Sequence, residues 1–274
     1  MRVVALLATH NEERFTGGCI EHLARHGVET YLIDNESTDA TVAIAERFQG
    51  RGLAGIETLA HDDVSWLGLQ LNRKAELAAT IDADWFVHVD ADEIRLPPHS
   101  GQTLAEAVAE ADELGYNAVN FLELTFVPTR EQPDHDHPRF QETMRWYYPF
   151  LPRFPHRLNA WKRQEQPVDL RSEGGHHVAF PGLRMYPESF PMRHYLYLSI
   201  EHATRKYGKR MYDPAEVAAG WHGRRAAFRG DDVTLIPESK LREYVSDDLL
   251  DVSNPRTAHP LFGGLGRAES PARS

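Results

Sequence analysis

Apolar and polar positions over the first hundred residues alternate between strand-length runs and helical periods. Arg2 to Ala8 is an apolar run of strand length that ends in the polar Thr9-His10-Asn11-Glu12-Glu13. From about Glu12, Phe15, Cys19, Ile20 and Leu23 recur at helical spacing, and Gly27 supplies a stop. Glu29 to Ile33 predicts a second strand, which ends in Asp34-Asn35-Glu36-Ser37-Thr38-Asp39. A helix then starts near Thr41 with Val42, Ala45 and Phe48 inward. Leu71 to Ala75 lies on a helix entering a third run, Trp85 to Val89, which is aromatic or β-branched everywhere except His88 and reads as a buried strand. Strand, helix, strand, helix in that order predicts an α/β fold with a mostly parallel sheet and right-handed crossovers. Each polar cluster falls at the carboxyl end of a strand, the edge where open α/β sheets bind ligands.

The third strand ends in Asp90-Ala91-Asp92-Glu93. In an extended backbone the side chains of Asp90 and Asp92 share one side, because strand side chains alternate with a period of two. Two carboxylates converging there suit a hard divalent cation, Mg²⁺ or Mn²⁺, which in turn would hold a diphosphate. The competing reading is a solvated acidic turn. Glu93 is expected to orient a metal ligand or a basic side chain.

Beyond Glu93 the pattern is less regular. Pro97-Pro98 breaks the chain, and Thr103 to Leu114 reads as an amphipathic helix with Leu104, Ala107, Val108, Ala111 and Leu114 on one face. Ala118 to Val127 is a strand, followed by the Pro-punctuated loop Pro128 to Pro138. That loop carries Asp134-His135-Asp136-His137, which reads as mobile surface, with metal binding as the alternative. Trp146, Tyr147, Tyr148, Phe150 and Trp161 read as core or lid packing, or as faces for a sugar. Arg193-His194-Tyr195 precedes a helix bearing Ser199, Glu201, His202 and Lys206, with Tyr195, Ile200, Ala203 and Tyr207 as its expected buried stripe. No chemistry is assigned from Asp213 to Leu261.

Three runs taken together resemble family 2 glycosyltransferases of the GT-A fold: Ala8 to Glu13, Tyr31 to Thr41, and Val87 to Glu93. They occur in order and cover roughly residues 3 to 95. The resemblance implies a nucleotide-diphospho-sugar transferase fold, a Rossmann-like open sheet flanked by helices, over residues 1–262. Residues 1–95 would form the nucleotide-sugar half, 96–262 the acceptor half, and 263–274 a disordered tail. It implies that Thr9, Asn11 and Glu12 approach the nucleotide, with Glu12 near the ribose or base, and that Asp34 meets the base edge. Asn35, Ser37 and Asp39 would shape the turn and cap the next helix, and Arg73 or Lys74 would reach the diphosphate. Asp90 and Asp92 would bind the metal and Asp90 the donor as well. A late histidine, His176 or His177, would complete the metal shell, with His194 as a rival. An inverting enzyme needs an acceptor-side carboxylate base. Glu173, in Asp169-Leu170-Arg171-Ser172-Glu173-Gly174-Gly175-His176-His177, is the candidate, with Asp169, Glu142 and Glu165 as competitors. The family's usual Glu-Asp base motif is not recognisable.

Composition changes the picture in a few places. A chain of 274 residues with 41% hydrophobic content is long enough for one ordinary core. A formal charge of −11 disfavours general binding to nucleic acid or anionic lipid, leaving room for a local basic site. The single Cys19 rules out an intrachain disulfide and fits a reducing cytoplasm. No run approaches the ~20 apolar residues of a membrane span, so membrane contact would be peripheral. The resemblance implies a nucleotide-sugar donor, UDP-linked by default with GDP and dTDP open, and a glycan, lipid-linked or small-molecule acceptor. Two alternatives share the fold. A sugar-phosphate nucleotidyltransferase would carry a glycine-rich basic loop after its first strand, and Thr9 to Phe15 has no glycine. A non-catalytic nucleotide-sugar-binding module would retain the donor half without a base.

Overall fold

The computed structural model describes residues 1–60, 67–208, 211–219, 221–222, 228 and 233–260. The tail expected over 263–274, and the last two residues of the expected domain, lie outside them. β1 (Val3–Thr9), α1 (Glu13–Arg25), β2 (Val28–Asp34), α2 (Thr41–Glu46), β3 (Leu53–Thr58), α3 (Leu67–Thr80) and β4 (Trp85–Val89) follow in the predicted order. The four strands pair in parallel as β3-β2-β1-β4. Both faces of β1 are covered, which is why its sequence is continuously apolar. Val3, Ala5 and Leu7 enter one core with α1, while Val4 and Leu6 enter a second with Leu71, Ala75 and Ala78 of α3. Phe15, Cys19, Ile20 and Leu23 are the buried face of α1, and Gly27 takes the positive φ of 73° just beyond its end.

The register fixes where the polar clusters meet. Thr9 lies opposite Asp34, and Leu7 opposite Val89, so β1, β2 and β4 end at nearly the same level. Their loops therefore share one edge of the sheet.

Past β4 the sheet continues antiparallel, in the order β8 (Arg157–Lys162), β6 (Ala118–Phe126), β7 (Trp146–Phe150) and β10 (Arg242–Glu243). The second part of β6 also pairs in parallel with β9 (Phe190–Tyr195), and β9 pairs antiparallel with the three-residue β5 (Glu93–Arg95). Glu93 lies opposite His194, and His194 opposite Thr125. α4 (Leu104–Glu113), α5 (Phe140–Thr143), α6 (Ile200–Gly208) and α7 (Pro214–Ala218) complete the chain. No helix among the described residues is long and apolar enough to cross a membrane.

Several expectations change. β5 is a strand that the sequence pattern did not predict, because three residues between a turn and Pro97 carry too short a pattern to register. Asp90 to Asp92 is that turn, closed by the Glu93 amide donating to the Asp90 carbonyl at 3.1 Å. The backbone is not extended there, so the period-two argument does not hold: Asp92 is buried and Asp90 is exposed. Tyr195 ends β9 rather than lying on the helix, and Ile200 is 38% exposed at the first turn of α6 instead of buried. Leu114 is exposed as well, because α4 ends before it. His135 is buried within the Pro128 to Pro138 loop, its Nδ1 3.0 Å from the Thr143 hydroxyl.

Thr103 caps α4 through a reciprocal box: its hydroxyl accepts from the Glu106 amide, and the Glu106 carboxylate accepts from the Thr103 amide at 2.7 Å. Thr103→Ala is expected to cost about 1 kcal/mol, read as a lower urea midpoint at unchanged slope. An unchanged midpoint would show that packing alone holds α4.

Candidate active site

The loops after β1, β2 and β4 open into a cleft of about 1790 Å³. Thr9, Asn11 and Glu12 line it from β1, Asn35, Thr38 and Asp39 from β2, and Asp90 and Asp92 from β4. The opposite wall comes from later segments: Arg153, His156 and Arg157, then Ser172 to Gly174 and His176, then His194, and Arg205 and Lys206 of α6.

Asn11 ties two of these loops together. At a positive φ of 56° its side-chain oxygen accepts from the Thr38 amide at 2.7 Å, while its own amide donates to the Ser37 hydroxyl at 2.9 Å. Asp39 caps the other way, accepting from the Glu13 and Thr41 amides. Asn11, Ser37 and Asp39 thus shape the rim. Asp34 is buried at the end of β2, where one carboxylate oxygen accepts from the Ser37 amide at 3.0 Å. Its other oxygen has no hydrogen-bond partner among the described residues, and neither have the Thr9 hydroxyl and the Asn35 side-chain oxygen. Buried polar atoms without partners are costly. Three of them at adjacent strand ends mark a polar seat for a ligand.

Below the cleft lies a chain of ion pairs. Asp92 accepts from the Lys206 ammonium at 2.8 Å, and Lys206 also stands 3.5 Å from Glu12. His194 reaches Asp92 at 3.6 Å through Nε2 and Glu123 at 2.7 Å through Nδ1. Glu123 further accepts from Arg157 at 2.9 Å and faces His156 Nε2 at 3.2 Å. Glu93 accepts from Arg95 at 2.6 Å and from the Asp90 amide at 3.3 Å, the orienting role expected of it. Arg95 also donates to Asn159 and to the His88 carbonyl, and lies 4.3 Å over the Phe121 ring. Burial works against the charge on His194, but Glu123 and Asp92 outweigh it and raise its pKa to about 10. Burial likewise opposes the Glu123 charge, and Arg157 and His194 override it, holding the carboxyl well below its usual range.

A second strut stands under Asp90. Lys74 is fully buried and donates to His88 Nδ1 at 3.1 Å and to the Val89 carbonyl, which leaves the proton of a neutral His88 on Nε2. That nitrogen is 3.9 Å from Asp90. Burial pulls the Lys74 pKa down to about 8 against the pull of Asp90 and Glu93. Gly175 crosses directly above: a Cβ there would meet His88 at 3.1 Å and Leu71 at 3.0 Å, and its φ is 82°. Its glycine is required by close backbone approach, to His88.

Several expected site residues stand elsewhere. Arg73 is fastened to Glu57 at 2.6 Å and Glu76 at 2.9 Å, outside the cleft, and Lys74 lies beneath the strand rather than in the cleft. His177 is turned to the Pro155 carbonyl at 2.9 Å, and His176 packs edge-on against His156 in the cleft wall. The histidine that meets Asp92 is His194. Among the four carboxylates considered as base, only Glu173 lines the cleft, where it pairs with Arg153. Asp169 caps its own turn by accepting from the Arg171 and Ser172 amides, and Glu142 is held by Arg139 on the surface.

The divalent cation expected at Asp90 and Asp92 meets a donor set that is already engaged. Asp92 is held by two cations, Lys206 and His194, and no group of three metal-ligating side chains converges among the described residues. The site as built does not fit the ion without displacing Lys206. Glu123 and Lys206 were the residues hardest to see in sequence. A lone carboxylate within the apolar run Ala118 to Val127 was the available signal for Glu123.

The sequence profile of Glycosyl transferase family 2 matches residues 5–165. Among solved structures, the chain is similar to S. aureus TarS 1–349 in complex with UDP at 12% identity and a TM-score of 0.41, covering 85% of this chain and 74% of that one. TarS 1–349 without ligand gives 12% identity and 0.41, covering 76% and 65%. TarS 1–349 in complex with UDP-GlcNAc gives 17% identity and 0.32, covering 47% of this chain and only 35% of that one. No curated protein sequence matches significantly.

The protonated His194 makes a prediction about pH. Its folded pKa of about 10 exceeds the unfolded value of about 6.5. The stabilisation is therefore complete below about pH 6.5 and is lost as pH rises toward 10. Lys74, depressed to about 8, opposes that loss above about pH 8. Between pH 6.5 and 8 the folding free energy should fall by up to about 1.4 kcal/mol per pH unit, measured by urea titration. His194→Gln should lack this slope. A flat wild-type profile would mean that His194 is neutral.

Proposed function

The chain belongs to glycosyl transferase family 2, and from that premise we propose that it moves a sugar from a nucleoside-diphosphate sugar to an acceptor hydroxyl with inversion. What carries the reading is the shared edge of β1, β2 and β4, where Thr9, Asp34 and Asn35 present buried polar atoms without hydrogen-bond partners among the described residues, beside the cleft. A nucleoside offers hydrogen-bond donors for such oxygens, and the Asn11 and Glu12 loop stands beside them. UDP is the first nucleotide to try, followed by GDP and dTDP.

In the transfer the acceptor oxygen forms a bond to the anomeric carbon as the bond from that carbon to the β-phosphate oxygen breaks. The leaving oxygen keeps the electron pair, and the acceptor proton passes to a carboxylate. Glu173 is our assignment for that carboxylate. The hydrogen bond from Arg153 lowers its pKa, which keeps it ionised at neutral pH but makes it a weaker base while that contact lasts. Arg153 must turn aside for it to act. Positioning both substrates in one cleft supplies a further part of the acceleration.

A second reading keeps Mg²⁺ or Mn²⁺ at the Asp-x-Asp turn. The observation in its favour is Asp90, whose side chain is 52% exposed in the cleft. The ion would have to replace Lys206 at Asp92.

The test is titration of UDP, GDP and dTDP onto the full chain, followed by release of nucleoside diphosphate from the matching sugar donor. One nucleotide should bind, and Asp34→Ala should weaken it at least tenfold. Glu173→Gln should lower transfer about 10²–10⁴-fold with nucleotide binding unchanged. If none of the three nucleotides binds, the donor reading is wrong. Full transfer by Glu173→Gln would move the base elsewhere.

A further inference from the structure

We propose that the Lys206 ammonium is the cation that faces the donor diphosphate, so that this chain binds its donor without a divalent metal. The inference rests on the nucleotide-sugar reading above and deepens it.

Three elements converge on Lys206. It rises from α6 into the cleft, 2.8 Å from Asp92 of the turn after β4, 3.5 Å from Glu12 of the loop after β1, and 4.9 Å over the Phe15 ring of α1. The side chain is only 8% exposed, so little freedom remains to it. This is where the Asp-x-Asp pattern would place a metal against Asp92, and a cation already occupies the position. A lysine ammonium has three donors. Among the described residues Asp92 and Glu12 account for two directions, which leaves a third for a phosphate oxygen.

The surrounding charge agrees. Arg14 and Arg205 both pair with Asp136 on the same side of the cleft, and His194 lies against Asp92. Arg14, His194, Arg205 and Lys206, with Arg157, are paired with Glu12, Asp92, Asp136, Glu123 and Glu201, five cations with five carboxylates. These carboxylates are matched by the chain's own cations before any metal is added. Asp90, the remaining carboxylate of the pattern, is offset from behind by Lys74 through His88. A divalent ion entering at Asp92 would be pressed against two cations already in contact with that carboxylate. In the transfer step, the electron pair released to the β-phosphate oxygen would then be balanced by the fixed ammonium, with nothing to be recruited from solution.

The experiment is calorimetric binding of the nucleotide found by the UDP, GDP and dTDP panel, in EDTA and in Mn²⁺, with no turnover required. Affinity in EDTA should lie within threefold of that in Mn²⁺. Lys206→Met should weaken diphosphate binding at least tenfold while leaving the nucleoside without phosphates unaffected, and Lys206→Arg should recover part of the loss. Binding that appears only with Mn²⁺ would overturn the proposal, as would a Lys206→Met protein that binds the diphosphate as tightly as the wild type. The wild-type comparison decides the matter even if Lys206→Met does not fold. Failure of every nucleotide in both conditions is a different outcome, which would remove the donor reading and this inference with it.

Discussion

The second half of this protein is organised around a carboxylate that cannot be left alone. Glu123 sits fully buried in β6, and a buried ion is stable only if it is paired and hydrogen-bonded. Its partners come from three other places: Arg157 at the start of β8, His156 just before it, and His194 in β9. Each of these three is a long-range contact, so satisfying one carboxylate fixes the mutual positions of β6, β8 and β9. Leaving such a charge unpaired costs roughly 3–5 kcal/mol, a large fraction of the stability of an ordinary domain. Apolar packing would tolerate small slips among these strands; the directional bonds to Glu123 do not.

The same network hands its geometry to the cleft. His194 joins Glu123 to Asp92, and Asp92 joins His194 to Lys206. Arg157 and Arg95 meet at Glu93, whose carboxylate also accepts the Asp90 amide. The turn after β4 is therefore gripped from the core side at both of its acids. A solvated acidic turn would wander, whereas this one is tied to buried charges on its core side. Side chains so constrained by supporting contacts are what precise binding of a diphosphate demands.

Much of the parallel half was legible from sequence, and the reason is periodicity. β1, β2 and β4 are short apolar runs because the sheet is covered on both faces, and each stops where polar residues begin. The donor edge followed directly. What was not legible depends on pairs of residues far apart in the chain. Nothing near Lys206 announces that its ammonium meets Asp92, 114 residues away. Nothing near Arg73 says that Glu57 will claim it. β5 was missed because three residues cannot display a period, and the Asp90 to Asp92 turn was misread as extended for the same local reason. Glu173 was placed in the cleft through a turn whose two glycines were visible, but the partner that occupies it, Arg153, was not.

The extent of the family match bears on how this site is divided. Residues 5–165 carry the three loops after β1, β2 and β4, together with Glu123 and Arg157. Glu173, His194, Arg205 and Lys206 lie beyond the match, yet they form the facing wall of the cleft. A nucleotide diphosphate presents nearly the same groups whatever sugar it carries, so the loops that hold it need little variation. The acceptor differs from enzyme to enzyme, and so must the wall that receives it. In this chain the wall also carries the cations nearest Asp92, so under the proposed transfer the part of the molecule that receives the acceptor would also set the charge at the leaving group. An acceptor that reorders α6 would thereby change the field at the diphosphate as it binds. Coupling of that kind needs no moving domain, only the 2.8 Å contact between a helix and a turn.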